Sequence, residues 1–123
     1  MESVYNNSFD VDIKLMNIPF LWQIVDIINS LCSPDMIILF GSYAKGVASE
    51  NSDIDLLVLK KDLTKENERE LSSNLYRALL DYDINIATDL ISMNYYRHFE
   101  LINVIGYINK TINDEGIIIY ETV

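Results

Sequence analysis

The stretch FGSYAKGVASENSDIDLLVL, from Phe40 to Leu59, decides how the rest of this chain is read. Ile37 to Phe40 is an apolar run of the kind that forms a buried strand, and it stops at the pair Gly41-Ser42. Ten residues later come Asp53, Ile54 and Asp55, followed by a second apolar run from Leu56 to Leu59. On a strand, the i, i+2 spacing puts both carboxylates on one face and turns Ile54 to the other, into the core. Two adjacent carboxylates repel each other unless a cation lies between them, and Mg²⁺ is the usual one. A glycine-led turn with free backbone N–H groups and a serine hydroxyl can hold phosphate oxygens. A phosphate cradle beside divalent-metal ligands points to nucleotide chemistry.

Around this centre the chain alternates helices and strands, the pattern of an α/β or α+β layered fold. Residues 1–16 alternate weakly through Val11, Ile13 and Leu15 and are expected to form an extended arm or an edge strand. Pro19 suits a first helical turn, and Ile18, Leu21, Trp22, Val25, Ile28 and Cys32 recur at spacings of three and four, the stripe of an amphipathic helix. Ser33-Pro34-Asp35 ends it, Met36 to Phe40 is the first core strand, and Gly41 to Gly46 starts a short helix. Asp53 to Lys60 is the second strand. Asp62-Leu63-Thr64 opens a helix with Leu71, Leu75, Ala78 and Leu79 inward and Lys65, Glu66, Glu68, Arg69 and Glu70 facing water. Asp83 to Ser92 reads as a third strand, Asn94 to Phe99 as a short helix, and Leu101 to Ile112 as a helix striped by Leu101, Ile105, Ile108 and Ile112. Gly116 ends that helix, and Ile117 to Tyr120 is a last strand.

A length of 123 residues fits one domain, 1–123, with a single core. Half of the residues are hydrophobic and the mean hydropathy is +0.11, which leaves room for an apolar interaction face beside an isoleucine-rich core. No apolar run approaches the roughly 20 residues that span a bilayer. The polar, acidic start MESVYNNSFDVD does not read as a signal peptide, so a cytoplasmic location is expected. Nineteen acids against nine bases give a net charge of −10 and no basic stripe of the kind that tracks a nucleic-acid backbone. Direct nucleic-acid binding is therefore not expected; a small nucleotide whose charge is carried by metal ions fits, as does a basic partner surface. The single cysteine, Cys32, falls on the first helical stripe and reads as a packed thiol, while the lone His98 reads as structural, exposed or satisfied.

The ordered set Gly41-Ser42, ten residues, Asp53-Ile54-Asp55 resembles the nucleotidyltransferase superfamily related to DNA polymerase beta, and most of all its minimal stand-alone members. The wider context GSYAKG (Gly41 to Gly46) and SDIDLLV (Ser52 to Val58) agrees, as does EGIIIYE (Glu115 to Glu121), similar to the closing strand of such domains. The resemblance implies an α+β nucleotidyltransferase fold with a small mixed sheet packed with helices. It implies two Mg²⁺ ions, a nucleoside triphosphate such as ATP, and Asp53 and Asp55 as metal ligands. A third carboxylate is needed on a neighbouring strand. Asp89 and Asp83 compete for it; Asp89 lies within an apolar stretch where a charge is costly unless used, Asp83 lies in the acidic turn Asp81-Tyr82-Asp83, and the family pattern selects Asp89. Ser42 is expected on a terminal phosphate, and Lys45 reaches either the phosphates or solvent. Tyr95, Tyr96 and Phe99 read as packing rather than as a base clamp.

Minimal members of the superfamily are often paired with a small helical HEPN ribonuclease toxin, which implies an antitoxin that places AMP on a tyrosine of the toxin. Two other functions stay open: a small-molecule transferase of the aminoglycoside-modifying kind completed by dimerisation, and a non-enzymatic binding module. The intact three-carboxylate set argues against the last.

Overall fold

A computed structural model describes residues 3–4, 15 and 17–122. Its strands are β1 (Ser3–Val4), β2 (Met36–Phe40), β3 (Ile54–Lys60), β4 (Thr88–Asn94) and β5 (Ile117–Thr122), in the sheet order β1-β5-β2-β3-β4. Every neighbouring pair is antiparallel except β3–β4, which is parallel. The sheet is mixed and the fold α+β, as expected. A parallel pair needs a long crossover, here supplied by the helix between β3 and β4.

The helices are α1 (Leu21–Cys32), α2 (Gly41–Lys45), α3 (Glu68–Asp81), α4 (Tyr95–Leu101) and α5 (Asn109–Glu115). Alternate residues of the central strands sort them into two layers. Ile37, Leu39, Ile54, Leu56 and Val58 pack with α1 and α3, while Met36, Ile38, Phe40, Leu57 and Leu59 pack with Met93 and Ile112 on the side of α4 and α5. Because β2 and β3 are covered on both faces, their sequences read as unbroken apolar runs rather than alternating ones.

Several boundaries depart from the expectations. In α1 the buried positions are Leu21, Ile24, Val25, Ile27 and Ile28, and Trp22 is 37% exposed because it lies one residue, about 100° of helix, off that face. The third helix does not open at Asp62. Asn94 Nδ2 donates to the carbonyls of Lys61 (3.2 Å) and Leu63 (2.8 Å), taking acceptors a helix would use, and after a 3₁₀ turn at Lys65–Asn67 the helix starts at Glu68. The third strand starts at Thr88, not Asp83. Asp83 adopts a left-handed conformation (φ 55°), and the N–H groups of Asp83 and Ile84 close the end of α3 on Leu80 and Leu79. The expected helix from Leu101 to Ile112 is also absent as a unit. Gly106 at φ 96° breaks it, turns run from 102 to 108, Ile105 is 99% exposed, and α5 begins only at Asn109. Of the N-terminal arm, Ser3 and Val4 pair with Thr122 and Glu121 at the sheet edge and Leu15 is buried; Val11 and Ile13 lie outside the described residues.

The opposite edge, β4, is closed by side chains of α3. Tyr76 Oη accepts from Leu90 N (2.8 Å), Ser72 Oγ from Ser92 N (3.1 Å), and Glu68 Oε2 from Asn94 N (2.8 Å). Four residues of helix rise about 6 Å and two residues of strand about 6.6 Å. A helix face at i, i+4, i+8 therefore meets every second N–H of an edge strand lying antiparallel to it, and that edge cannot recruit another strand. Glu68 accordingly does not face water: its side chain is 12% exposed and it takes Arg97 Nη2 at 2.5 Å and Arg97 Nε at 3.3 Å.

Glu68→Ala removes the cap on Asn94 N and leaves the half-buried Arg97 without its counter-ion. Urea denaturation is expected to show a loss of about 2–3 kcal/mol. Glu66→Ala, at an exposed position two residues earlier, is expected to stay within about 0.5 kcal/mol of wild type.

Candidate active site

The local sequence explains why the carboxylates gather. β3 and β4 are aligned so that Asp55 stands opposite Asp89, with Leu57 opposite Ile91 and Leu59 opposite Met93 on the same face. The apolar pairs fix the register, because a one-residue slip would send each to the other side. Asp53 precedes β3 by one residue, and Ile54, fully buried, anchors the strand start with its N–H on Ala87 O at 2.9 Å.

Asp55 is half-buried, and its carboxyl is raised above the ordinary carboxylate range, chiefly by burial and then by the negative charges of Asp89 and Asp53. Among the described residues, no ion pair engages any of the three; ion pairs form elsewhere, Lys60 with Asp62, Arg97 with Glu68 and Lys110 with Asp114. Among the described residues, no side-chain cation neutralises the charge of this cluster.

β2 delivers Gly41 to the same place. Its φ is +74°, and a Cβ built there would lie 2.1 Å from Asp55 Oδ2 and 3.0 Å from its Cγ. Both conformation and space therefore require glycine. α2 begins at this residue, so the unpaired N–H groups of its first turn and the Ser42 hydroxyl lie next to the Asp55 strand, and Gly46 in a left-handed conformation ends the helix. Lys45 forms an ion pair with Glu115 of α5 at 3.3 Å, with both side chains about half exposed.

Asp83 sits in the turn after α3 and outside the sheet, while Asp89 is in register with Asp55. Periodicity and motif assign no role to Tyr76, whose hydroxyl donates to Asp89 Oδ1 at 3.0 Å while accepting from Leu90 N. Its phenol is raised above the ordinary tyrosine value, first by burial, with Asp89 and Asp53 adding to the shift. The signal was present: Ser72 and Tyr76 are hydroxyl-bearing residues at i, i+4 beside the buried stripe of Leu75 and Leu79.

The remaining candidates are structural. His98 is fully buried, its Nδ1 lies 2.7 Å from Asn109 Nδ2, and burial pushes its pKa down, so the ring is neutral. Burial pushes the Cys32 thiol up to about 11, leaving it unreactive near neutrality. Tyr95 packs against Tyr96 and Phe99 at ring distances of 5.4 and 5.0 Å, at the end of β4 remote from Asp89. Two grooves, of about 340 and 260 Å³, lie between α1 and α3 and between α1 and the turn after α3, lined by none of the three carboxylates.

The donor set fits Mg²⁺ of the kind that nucleotides bring. Among the described residues, no group of three carboxylate, imidazole or thiol side chains is placed to hold a metal ion by itself. Mg²⁺ seldom uses one; it keeps waters and takes one or two carboxylates together with substrate phosphates. A row of un-neutralised carboxylates beside a glycine that no side chain can replace suits that pattern.

Residues 22–122 match the family described as Polymerase beta, nucleotidyltransferase, and the chain belongs to that family. It is 45% identical over 58 residues to a protein of Methanocaldococcus jannaschii that bears the provisional name protein adenylyltransferase. That match covers 45% of this chain and 40% of the relative, so the chain spans well under two thirds of the relative's length. A crystal structure of a protein from Sulfolobus solfataricus, provisionally named a nucleotidyltransferase, shares the fold, with TM-score 0.54, 15% identity, and coverage of 92% of this chain and 87% of that one. A toxin–antitoxin complex solved with AMP-PNP aligns more loosely, at TM-score 0.49 and 24% identity, over 81% of this chain and 72% of that one. Among the described residues no helix is long and apolar enough to cross a membrane.

The raised Asp55 carboxyl gives a prediction with a definite sign. A carboxyl whose pKa is higher in the folded than in the unfolded chain contributes stability at acidic pH that is lost as pH rises through the folded value. Asp55→Asn removes that loss, so without metal the variant is expected to be as stable as wild type or more stable at neutral pH. The difference should shrink as pH falls and Asp55 itself becomes protonated. Thermal melts at neutral and mildly acidic pH, in EDTA, check this.

Proposed function

We propose that this protein transfers AMP from ATP to a tyrosine hydroxyl of a partner protein, and that the partner is a HEPN-type toxin neutralised by the modification. The observation that carries the transferase reading is the packing of Gly41 against Asp55, with Asp89 in register across β3 and β4. The provisional adenylyltransferase name of the curated relative supports AMP as the group moved. The toxin as acceptor rests on the sequence resemblance and on charge: a −10 domain complements the basic surface that an RNA-cutting protein needs.

Asp53, Asp55 and Asp89 would hold the Mg²⁺ ions, which when bound supply charge neutralisation on the phosphates and acidify the attacking hydroxyl. The chain itself contributes position and charge. The Gly41-Ser42 turn offers N–H groups and a hydroxyl to the departing pyrophosphate. Sheet register fixes Asp55 and Asp89 at the spacing of neighbouring strands, so the cluster costs little reorganisation when substrate arrives. Asp89, exposed on the edge strand, is open to an acceptor and takes the proton of its hydroxyl. The exposed apolar side chains Val104, Ile105, Tyr107 and Ile108 give a partner something to pack against.

Co-expression with the protein encoded by the neighbouring reading frame tests this reading. Intact-mass measurement is expected to show the partner heavier by about 329 Da for each AMP, and Asp53→Asn with Asp55→Asn is expected to abolish the gain and restore toxicity. An unmodified partner still silenced by the double variant would establish neutralisation by binding instead.

Asp89→Asn should separate chemistry from binding. Turnover is expected to fall by about 100-fold or more, the scale of a lost general base, while calorimetry finds MgATP affinity within a few-fold of wild type. Lost nucleotide binding with unimpaired transfer would reverse the roles given to these carboxylates.

A further inference from the structure

Across the sheet, the groups of the site stand in a fixed order: Gly41 at the end of β2, Asp55 on β3, Asp89 on the edge strand β4, and Tyr76 of α3 at the outer side of that edge. In-line displacement at a phosphorus needs the attacking and leaving oxygens on opposite sides. If the leaving pyrophosphate lies at the Gly41-Ser42 turn, the attacking oxygen belongs at the Asp89 side. A hydroxyl of this chain already stands there. Tyr76 Oη donates to Asp89 Oδ1 at 3.0 Å, within the range expected between an acceptor and the base that takes its proton. The chemistry is the same as that assigned to the partner, a phenol.

We propose that Tyr76 is an internal acceptor and that the protein nucleotidylates itself at this residue when no partner fills the acceptor side. This rests on the nucleotidyl-transfer reading above and adds a modification site within the chain. The Tyr76 Oη–Pα bond forms as the bond from Pα to the oxygen bridging to Pβ breaks. The phenolic proton passes to Asp89 Oδ1, and pyrophosphate leaves with the electron pair. Tyr76 is 37% exposed, so the added nucleotide has a route to solvent. The modification removes the hydrogen bond to Asp89, because an aryl phosphate ester oxygen has no proton to donate. It also places a nucleotide over the edge where a partner's hydroxyl must enter. Self-modification is thus self-limiting and closes the acceptor side.

The purified chain is incubated with ATP and Mg²⁺ alone, and intact mass followed by peptide mapping locates any adduct. The expected result is a gain of about 329 Da on Tyr76, absent from Tyr76→Phe and from Asp89→Asn. Asp89→Asn matters because it keeps the phenol and its cap on Leu90 N, so loss of the adduct there cannot be a folding defect of the tyrosine variant. Hydrogen exchange is a second readout: the Leu90 amide should exchange faster in the modified chain, whose ester oxygen is the poorer acceptor. A chain that modifies its co-expressed partner but never itself overturns this inference and leaves the transferase reading standing. An adduct that survives Tyr76→Phe overturns it as well. Failure to modify either protein overturns both.

Discussion

Asp55 and Asp89 face each other on adjacent parallel strands, with Asp53 two residues from the first, and no side-chain cation among the described residues pairs with any of them. Carboxylates at that spacing repel, and the raised Asp55 carboxyl is the mark of it. A sheet holds such a cluster only if something stronger fixes its register. Here that is apolar burial: Leu56, Leu57, Val58 and Leu59 are wholly buried and packed between two helical layers. Each fully buried aliphatic side chain contributes about 1.5–3 kcal/mol, so the strand can carry a carboxylate pair at its end without losing its place. The rest of the site follows from that alignment.

The edge strand has a second support. β4 bears Asp89 and has a sheet neighbour on one side only, so its position depends on α3 as well as on β3. The series Glu68, Ser72, Tyr76 answers every second N–H of the strand, and the last member also holds the Asp89 carboxylate. One helix face thus protects an aggregation-prone edge and orients Asp89. Asp89 stands exposed at the sheet edge while its carboxylate is held by a side chain of the packed helix α3.

Much of this could be read from sequence, for identifiable reasons. β2 and β3 are continuous apolar runs, and Gly41 and the aspartate pair mark where they end, so strand, turn and site coincide in one stretch. Asp89 could be chosen over Asp83 because a charge inside an apolar stretch is costly unless it is used. The helices near the C-terminus were harder. Leu101, Ile105, Ile108 and Ile112 have helical spacing, yet Gly106 at φ 96° separates them and leaves Ile105 exposed, a conformation no periodicity count registers. Glu68, expected to face water, and Tyr76, which no periodicity or motif singles out, differ for another reason: only the path of β4 shows that their helix face meets backbone N–H groups rather than water.

We propose that Asp53, Asp55 and Asp89, beside the Gly41-Ser42 turn, form a metal–nucleotide site. Its most direct test is a crystal structure with Mn²⁺ and a non-hydrolysable ATP analogue, in which anomalous scattering locates the metal independently of any assay. An Mn²⁺ peak is expected within bonding distance of Asp53 and Asp55, with the terminal phosphates against the N–H groups of Gly41 and Ser42. Metal and triphosphate bound elsewhere, such as in the grooves along α1 and α3, would contradict it.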